Sequence, residues 1–288
     1  MGFLWRSIRQ SDLEDRHSPL FGGGRLIMQG FKLAFNYLRI GIMNEFQYRA
    51  NLYIQILQTF IALATGLIGL NLVFNQVNEL GGWGKADLLA VMGVFTITGG
   101  IIRSAIQPNM ERLMDEIREG TLDYILTKPA DAQLLASVRE YRLWQNTDVI
   151  IGTIVLIVAM SQLGWRMDFW SSLGFISALV MGAIMVYCFW LVITSTAFWF
   201  VRVHEIANLF EGLYAAGRWP VDIYPNWLRY GLTFLVPVAF AVTVPASALT
   251  GRLSLQTWLG ALALTVVLAT ITRVIWRFGL RNYSGASA

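Results

Sequence analysis

Charge is scarce in this chain. Only 14% of its residues are Asp, Glu, Lys or Arg, against about 25% in ordinary soluble domains. Most of the surface therefore does not face water, which argues against a soluble globular protein. Cysteine is scarcer still. Cys188, inside an apolar run, is the single one, so an intramolecular disulfide and a Cys-based zinc site are both excluded. The two histidines are His17 and His204. His204-Glu205 is not followed by the second His of a zinc-protease helix, and no metal-ligand set closes. No Gly-x-Ser-x-Gly marks a hydrolase nucleophile. Gly82-Trp83-Gly84-Lys85-Ala86 is superficially like a phosphate loop. It lacks the first Gly at the required spacing, ends in Ala rather than Ser or Thr, and follows no strand. The expectation is a chain with no catalytic residues, no metal and no cofactor of its own.

What is present is apolar length. Hydrophobic residues make up 56% of the 288 positions, with 11 Trp and 10 Tyr to supply interfacial belts. Residues 1–24 lack the apolar centre of a cleavable signal and read as a flexible cytoplasmic tail. Over residues 25–50, Ile27, Phe31, Ala34, Phe35, Leu38, Ile42 and Phe46 recur at spacings of three and four. Gln29, Lys32, Asn36, Arg39 and Gln47 form the opposite stripe. That is an amphipathic helix, lying along a membrane surface or packed on a soluble partner. Apolar spans follow at about 52–74, 88–106, 149–163 and 173–201. A fifth begins at 206–216 and is interrupted by Gly217, Pro220 and Pro225. The last covers about 255–275. A turn is expected at Gly81-Gly82-Trp83-Gly84.

The net charge of +4 is distributed between the apolar segments, leaving no basic domain for nucleic acid. Arg25, Lys32, Arg39 and Arg49 precede the first span. Arg103, Arg112, Arg118, Lys128, Arg139 and Arg142 lie between the second and third, and Arg273, Arg277 and Arg281 end the chain. The positive-inside rule puts all three groups in the cytoplasm. A full crossing by the additional run 230–249 would carry the C-terminus outside. Residues 218–252, broken by Pro220, Pro225, Pro237 and Pro245, are therefore expected to enter the membrane and return on the outer side. The expected fold is an all-α membrane protein. Residues 51–282 form six transmembrane helices, with both termini cytoplasmic and an outer re-entrant helical hairpin before the last span.

Two local features carry candidate chemistry. Between spans two and three, Met110, Leu113, Met114 and Ile117 form the apolar face of a short helix. Glu111, Arg112, Asp115, Glu116, Arg118 and Glu119 form its polar face, and Gly120 sits at the C-cap position. Such a helix docks into a groove of a soluble partner or is an ordinary solvated loop helix. In the fifth span Glu211 lies at membrane depth, with Asn208 and Glu205 before it. An intramembrane carboxylate either faces a cationic substrate or a polar cavity, or is a structural partner of Arg218, Arg202 or a backbone group. Arg103 and Asp148 lie at span ends, where a side chain can snorkel.

Glu119-Gly120-Thr121-Leu122-Asp123 through Leu126-Thr127-Lys128-Pro129 after span two, then Ile223-Tyr224-Pro225-Asn226-Trp227-Leu228-Arg229, Leu235-Val236-Pro237-Val238-Ala239-Phe240 and Pro245-Ala246, occur in this order. Over residues 25–280 the chain resembles the six-span permeases of the ABC type-2 class, in the branch described as viologen or drug exporter subunits. The resemblance implies the membrane subunit of an exporter in a bacterial inner membrane. It would pair with a second permease, identical or homologous, and with two copies of a cytoplasmic ATP-binding subunit that holds ATP and Mg. It implies coupling to that subunit through residues 107–147, with Met110, Leu113, Met114, Ile117, Glu119, Gly120, Leu122, Asp123, Lys128 and Pro129. It also implies an outer gate at 218–252 and a small lipophilic or cationic substrate. The competing class is a membrane-embedded enzyme or assembly factor without an ATPase partner.

Overall fold

A computed structural model of the chain describes residues 35, 36, 39, 43, 49–164, 169–200 and 204–283, with backbone alone at 49 and 204–209. Residues 35, 36, 39 and 43 are helical; the rest of the expected 25–48 helix lies outside the described residues, as does the 1–24 tail. Among the described residues there is no strand, and a lone bridge joins Leu80 to Trp83. That bridge closes the expected turn, with Gly81 and Gly82 at positive φ of 59° and 80°.

Eleven helices are used below: α1 (Arg49–Phe74), α2 (Lys85–Ile101), α3 (Gln107–Glu119), α4 (Asp123–Leu126), α5 (Ala132–Ala136), α6 (Asn146–Gln162), α7 (Phe169–Ser195), α8 (His204–Ala215), α9 (Asn226–Tyr230), α10 (Val244–Leu249) and α11 (Leu255–Asn282). Five helical stretches are long and apolar enough to cross a bilayer: Ala50–Phe74, Lys85–Glu119, Leu143–Gln162, Phe169–Phe198 and Leu255–Asn282. The second is longer than expected. The helix does not stop at Ile106 but passes through a π turn, Ile102–Ile106, directly into α3.

The centre of the bundle is α2 against α6. They approach closely because small residues face each other: a Cβ on Gly152 would lie 2.8 Å from the Ile97 nitrogen, and one on Gly93 3.0 Å from the Leu156 nitrogen. α2 is apolar on every side and accordingly buried. α1 and α11 are peripheral, with only 17% of their apolar windows buried within the chain. Their outward Ile, Leu, Val and Phe side chains suit hydrocarbon.

Contacts define two ends of the bundle. At one end Arg252 bonds Asp87 at 2.6 Å and lies over Trp83, and a Cβ on Gly81 would meet Ile223. At the other, Phe198 packs on Trp276 and Tyr283, and Arg273 pairs with Asp131. α8 joins the two. Phe210 packs on Trp190, the Tyr214 hydroxyl donates to the Phe95 carbonyl at 2.9 Å, and Val221 N–H reaches Thr243 Oγ1. With its following turn through Arg218, this passage rises only about 22 Å at 1.5 Å per residue. It is a short connection, thinner than a hydrocarbon core of about 30 Å.

The run expected to form a hairpin is two helical pieces, Asn226–Leu235 and Ala239–Leu249, bent by 80°. Pro237 sits at the bend. Pro220 and Pro225 precede a 3-10 turn and α9. Pro245 is a correction: it does not end the helix, which runs from Ala239 through it to Leu249, with a π turn, Ala239–Thr243, directly before it. Both ends of this bent pair meet the Asp87–Trp83 end: Arg229 bonds Asp222, and Arg252 bonds Asp87. Its middle rests on the bundle, the Ala241 carbonyl accepting from Thr98 Oγ1 at 3.1 Å.

Candidate functional site

A cavity of about 340 Å³ lies between α1, the α2–π turn rod and α8. Its apolar wall is Met92, Phe95, Phe210 and Tyr214, joined by ring stacking: Phe95 on Tyr214 at 4.9 Å and Phe210 on Tyr214 at 5.8 Å. Its polar wall is Gln55, Gln58, Thr59, Arg103, Gln107, Gln145, Asp148, Glu211 and Arg218. Asp148 organises the inner part. Its side chain is 3% exposed; it pairs with Arg103, accepts from Gln55 Nε2 at 3.0 Å and accepts from Thr59 Oγ1. One carboxylate thus ties α1, the π turn and α6 together. The expected snorkelling of Arg103 and Asp148 is corrected: they are each other's partners across the bundle. Gln55 and Thr59, four residues apart on one face of the first span, are the sequence signal for this cluster.

Glu211 is in the same cavity, where its Oε1 accepts from Gln107 Nε2 at 3.0 Å. The expected structural pairing with Arg218 is not made. Arg218 lies over the Phe95 ring, 5.6 Å from its centroid. No described carboxylate pairs with Arg218 and no described cation with Glu211. Glu205 and Asn208 share the helix; their side chains, like Arg202, lie outside the described residues. Gln145 Oε1 is buried against the cavity without a hydrogen-bond partner among the described residues.

Residues 107–147 form a compact platform. Asn109, 2% exposed, clamps it: its Nδ2 donates to the carbonyls of Ala105 and Glu140, and its Oδ1 accepts from the N–H groups of Arg139 and Glu140. Arg139 bonds both oxygens of Glu116, and Arg142 bonds Glu111 at 2.9 Å. Gly120 takes φ 74° as the C-cap, a left-handed conformation that glycine adopts without steric cost. Asp131 caps α5 and pairs with Arg273 of α11. The hydrogen bond from that guanidinium leads in holding the Asp131 carboxyl below its ordinary value.

The apolar face of α3 is turned inward. Met110, Leu113, Met114, Ile117 and Leu122 are all buried in the chain's own core, so they form the floor of the platform rather than a free docking face. Outward on the same segment are Glu119, Pro129, Tyr124 at 73% and Leu126 at 40% exposure. Asp123 and Lys128 are intermediate.

The family described as ABC-2 family transporter protein matches residues 60–287, most of the chain, and the chain belongs to that family. No curated protein and no solved structure matches it.

Proposed function

We propose that the chain is the pathway-forming permease of an ABC exporter, moving a small substrate on the energy of a separate ATP-binding subunit. Membership in the ABC-2 family makes it a membrane permease of an ABC transporter; direction, substrate and subunit copies are the proposal. The observation that carries it is the polar cavity beside α1 and α8. Charged and amide side chains at membrane depth are costly unless they face one another, water or a ligand. Here Gln58 and Glu211 are exposed on the single chain. Lipid tails offer neither side chain a partner, so the face calls for a second permease, identical or homologous, that encloses the cavity.

The rest of the chain fits this role. The platform end is cytoplasmic by its basic residues, with both chain termini on the same side. Tyr124, Leu126, Glu119 and Pro129 then face an ATP-binding subunit, two copies per permease pair, each holding ATP and Mg. At the opposite, outer end the bent pair around Pro237 enters and returns, closing the pathway above the cavity. The inner membrane of a bacterium is the proposed setting. The test is purification of the full chain from native membranes in mild detergent. A subunit with ATP-binding motifs and ATPase activity should co-purify, and cavity substitutions should change its stimulation by substrate. A monodisperse preparation without any ATP-binding subunit would favour an enzyme or assembly factor instead.

A further inference from the structure

We propose that the cavity selects a small zwitterion with an apolar body, held by its cationic group at Glu211 and its anionic group at Arg218. The inference rests on the cavity being the substrate pathway. Glu211 on α8 and Arg218 in the 3-10 turn that follows it, Ala216–Arg218, are seven residues apart and both line the cavity. At about 1.5 Å per α-helical residue and about 2.0 Å per 3-10 residue their backbones are separated by roughly 12 Å. Neither charge is neutralised by a described partner of opposite sign: Glu211 has the neutral amide of Gln107, and Arg218 the face of Phe95. The other charges in the wall, Arg103 and Asp148, neutralise each other. The cavity therefore presents one negative and one positive group without a described counter-charge, with the Phe95–Tyr214 stack in the same wall.

A plain organic cation satisfies Glu211 and leaves Arg218 opposite nothing; a plain anion does the reverse. A zwitterion answers both and adds no net charge to a low-dielectric site, where an uncompensated charge is expensive. The apolar body then lies against Phe95, Phe210 and Tyr214. The volume of about 340 Å³ is at the lower end of small-ligand pockets, so the ligand is of short-peptide size.

The matched probes are Leu-Phe-Leu with free termini, its C-terminal amide and its N-acetyl form, which carry the same body with both charges, the cation alone and the anion alone. Binding is measured to the full chain in lipid nanodiscs with its ATP-binding subunit. The free tripeptide should bind at least tenfold more tightly than either blocked form. Glu211→Gln should lower it to the level of the N-acetyl form, and Arg218→Gln to the level of the amide. Because the three probes share one body and differ only at their termini, the wild-type comparison stands even where a variant folds poorly. An amide as tight as the free tripeptide would make this an organic-cation site, and an equally tight N-acetyl form an anion site; either overturns the inference. Binding of none of the three overturns it as well. Co-purification of the ATP-binding subunit in the same sample reports separately on the permease reading.

Discussion

Asp148 is the group on which the inner half of the bundle depends. Asp148→Ala removes the acceptor for Arg103, Gln55 and Thr59 at once. Breaking a fully buried ion pair from one side costs about 3–5 kcal/mol. The Arg103 side chain is 36% exposed, so water relieves part of that charge and roughly 2 kcal/mol is the appropriate share. Two neutral donors lose their acceptor at about 0.5–1 kcal/mol each, partly offset because Gln55 and Thr59 still bond one another at 3.2 Å. The expected loss is about 3 kcal/mol. Removing both charges, Arg103→Met with Asp148→Leu, should recover most of it, since a hydrophobic replacement of a buried pair is often neutral. The assay is denaturant unfolding in mixed micelles for the wild type, both single variants and the double. A loss for Asp148→Ala below about 0.5 kcal/mol, the range of ordinary surface substitutions, or no coupling between the two sites, would refute the reasoning.

Gly152→Val places carbon where Ile97 and Gly93 already are and should cost about 1–3 kcal/mol or more by overpacking; a wild-type unfolding midpoint would show that α2 and α6 do not meet there. Tyr124→Asp with Leu126→Asp should abolish co-purification of the ATP-binding subunit while the chain remains monodisperse, since both side chains point outward. Asp131→Asn should cost less than about 1 kcal/mol near pH 7, because the Arg273 pair is half-exposed. The Asp131 carboxyl is held below its ordinary 3.8, so its stabilisation is present above that value and lost as pH falls through the lowered one. The difference between variant and wild type should be flat from pH 5 to 8 and close only at the acid end; a difference that closes near neutrality would implicate another group. With Cys188 buried, an impermeant thiol reagent on intact cells should label Asn78→Cys and spare Ser284→Cys.

The long apolar elements were legible because hydropathy needs only local sequence. The Gly81-Gly82 turn and the Gly120 cap were legible because a positive φ selects its residue. Pairings across the bundle were not. Arg103 and Asp148 are 45 residues apart, and each alone is indistinguishable from a residue snorkelling at a span end. Amphipathicity in α3 said that Met110, Leu113, Met114 and Ile117 bury against something. It does not distinguish a partner's groove from the chain's own core, and the core is what they meet. Asn109, with its four backbone bonds, had no periodic signature at all. Glu211 was visible as a carboxylate in an apolar run. Its separation from Arg218 was not, because two opposite charges seven residues apart read equally as a bridge or as two independent charges.

The path from the platform to the cavity runs through one continuous rod. α2 passes by the π turn into α3 without a loop, and a packed helix transmits displacement rather than absorbing it. Arg103 lies within that π turn, one end of it tied to the cavity through Asp148. Asn109, one turn beyond, ties the rod to Glu140 and so to the platform. A π turn holds one residue more than the α-helical ladder needs and is the place where such a rod can change register. A displacement of the platform along this rod would reach Gln107 and then Arg103, both in the cavity wall. The cluster around Asp148 would follow Arg103, because its acceptors and donors come from three separate helical segments and none can move without breaking a bond to another.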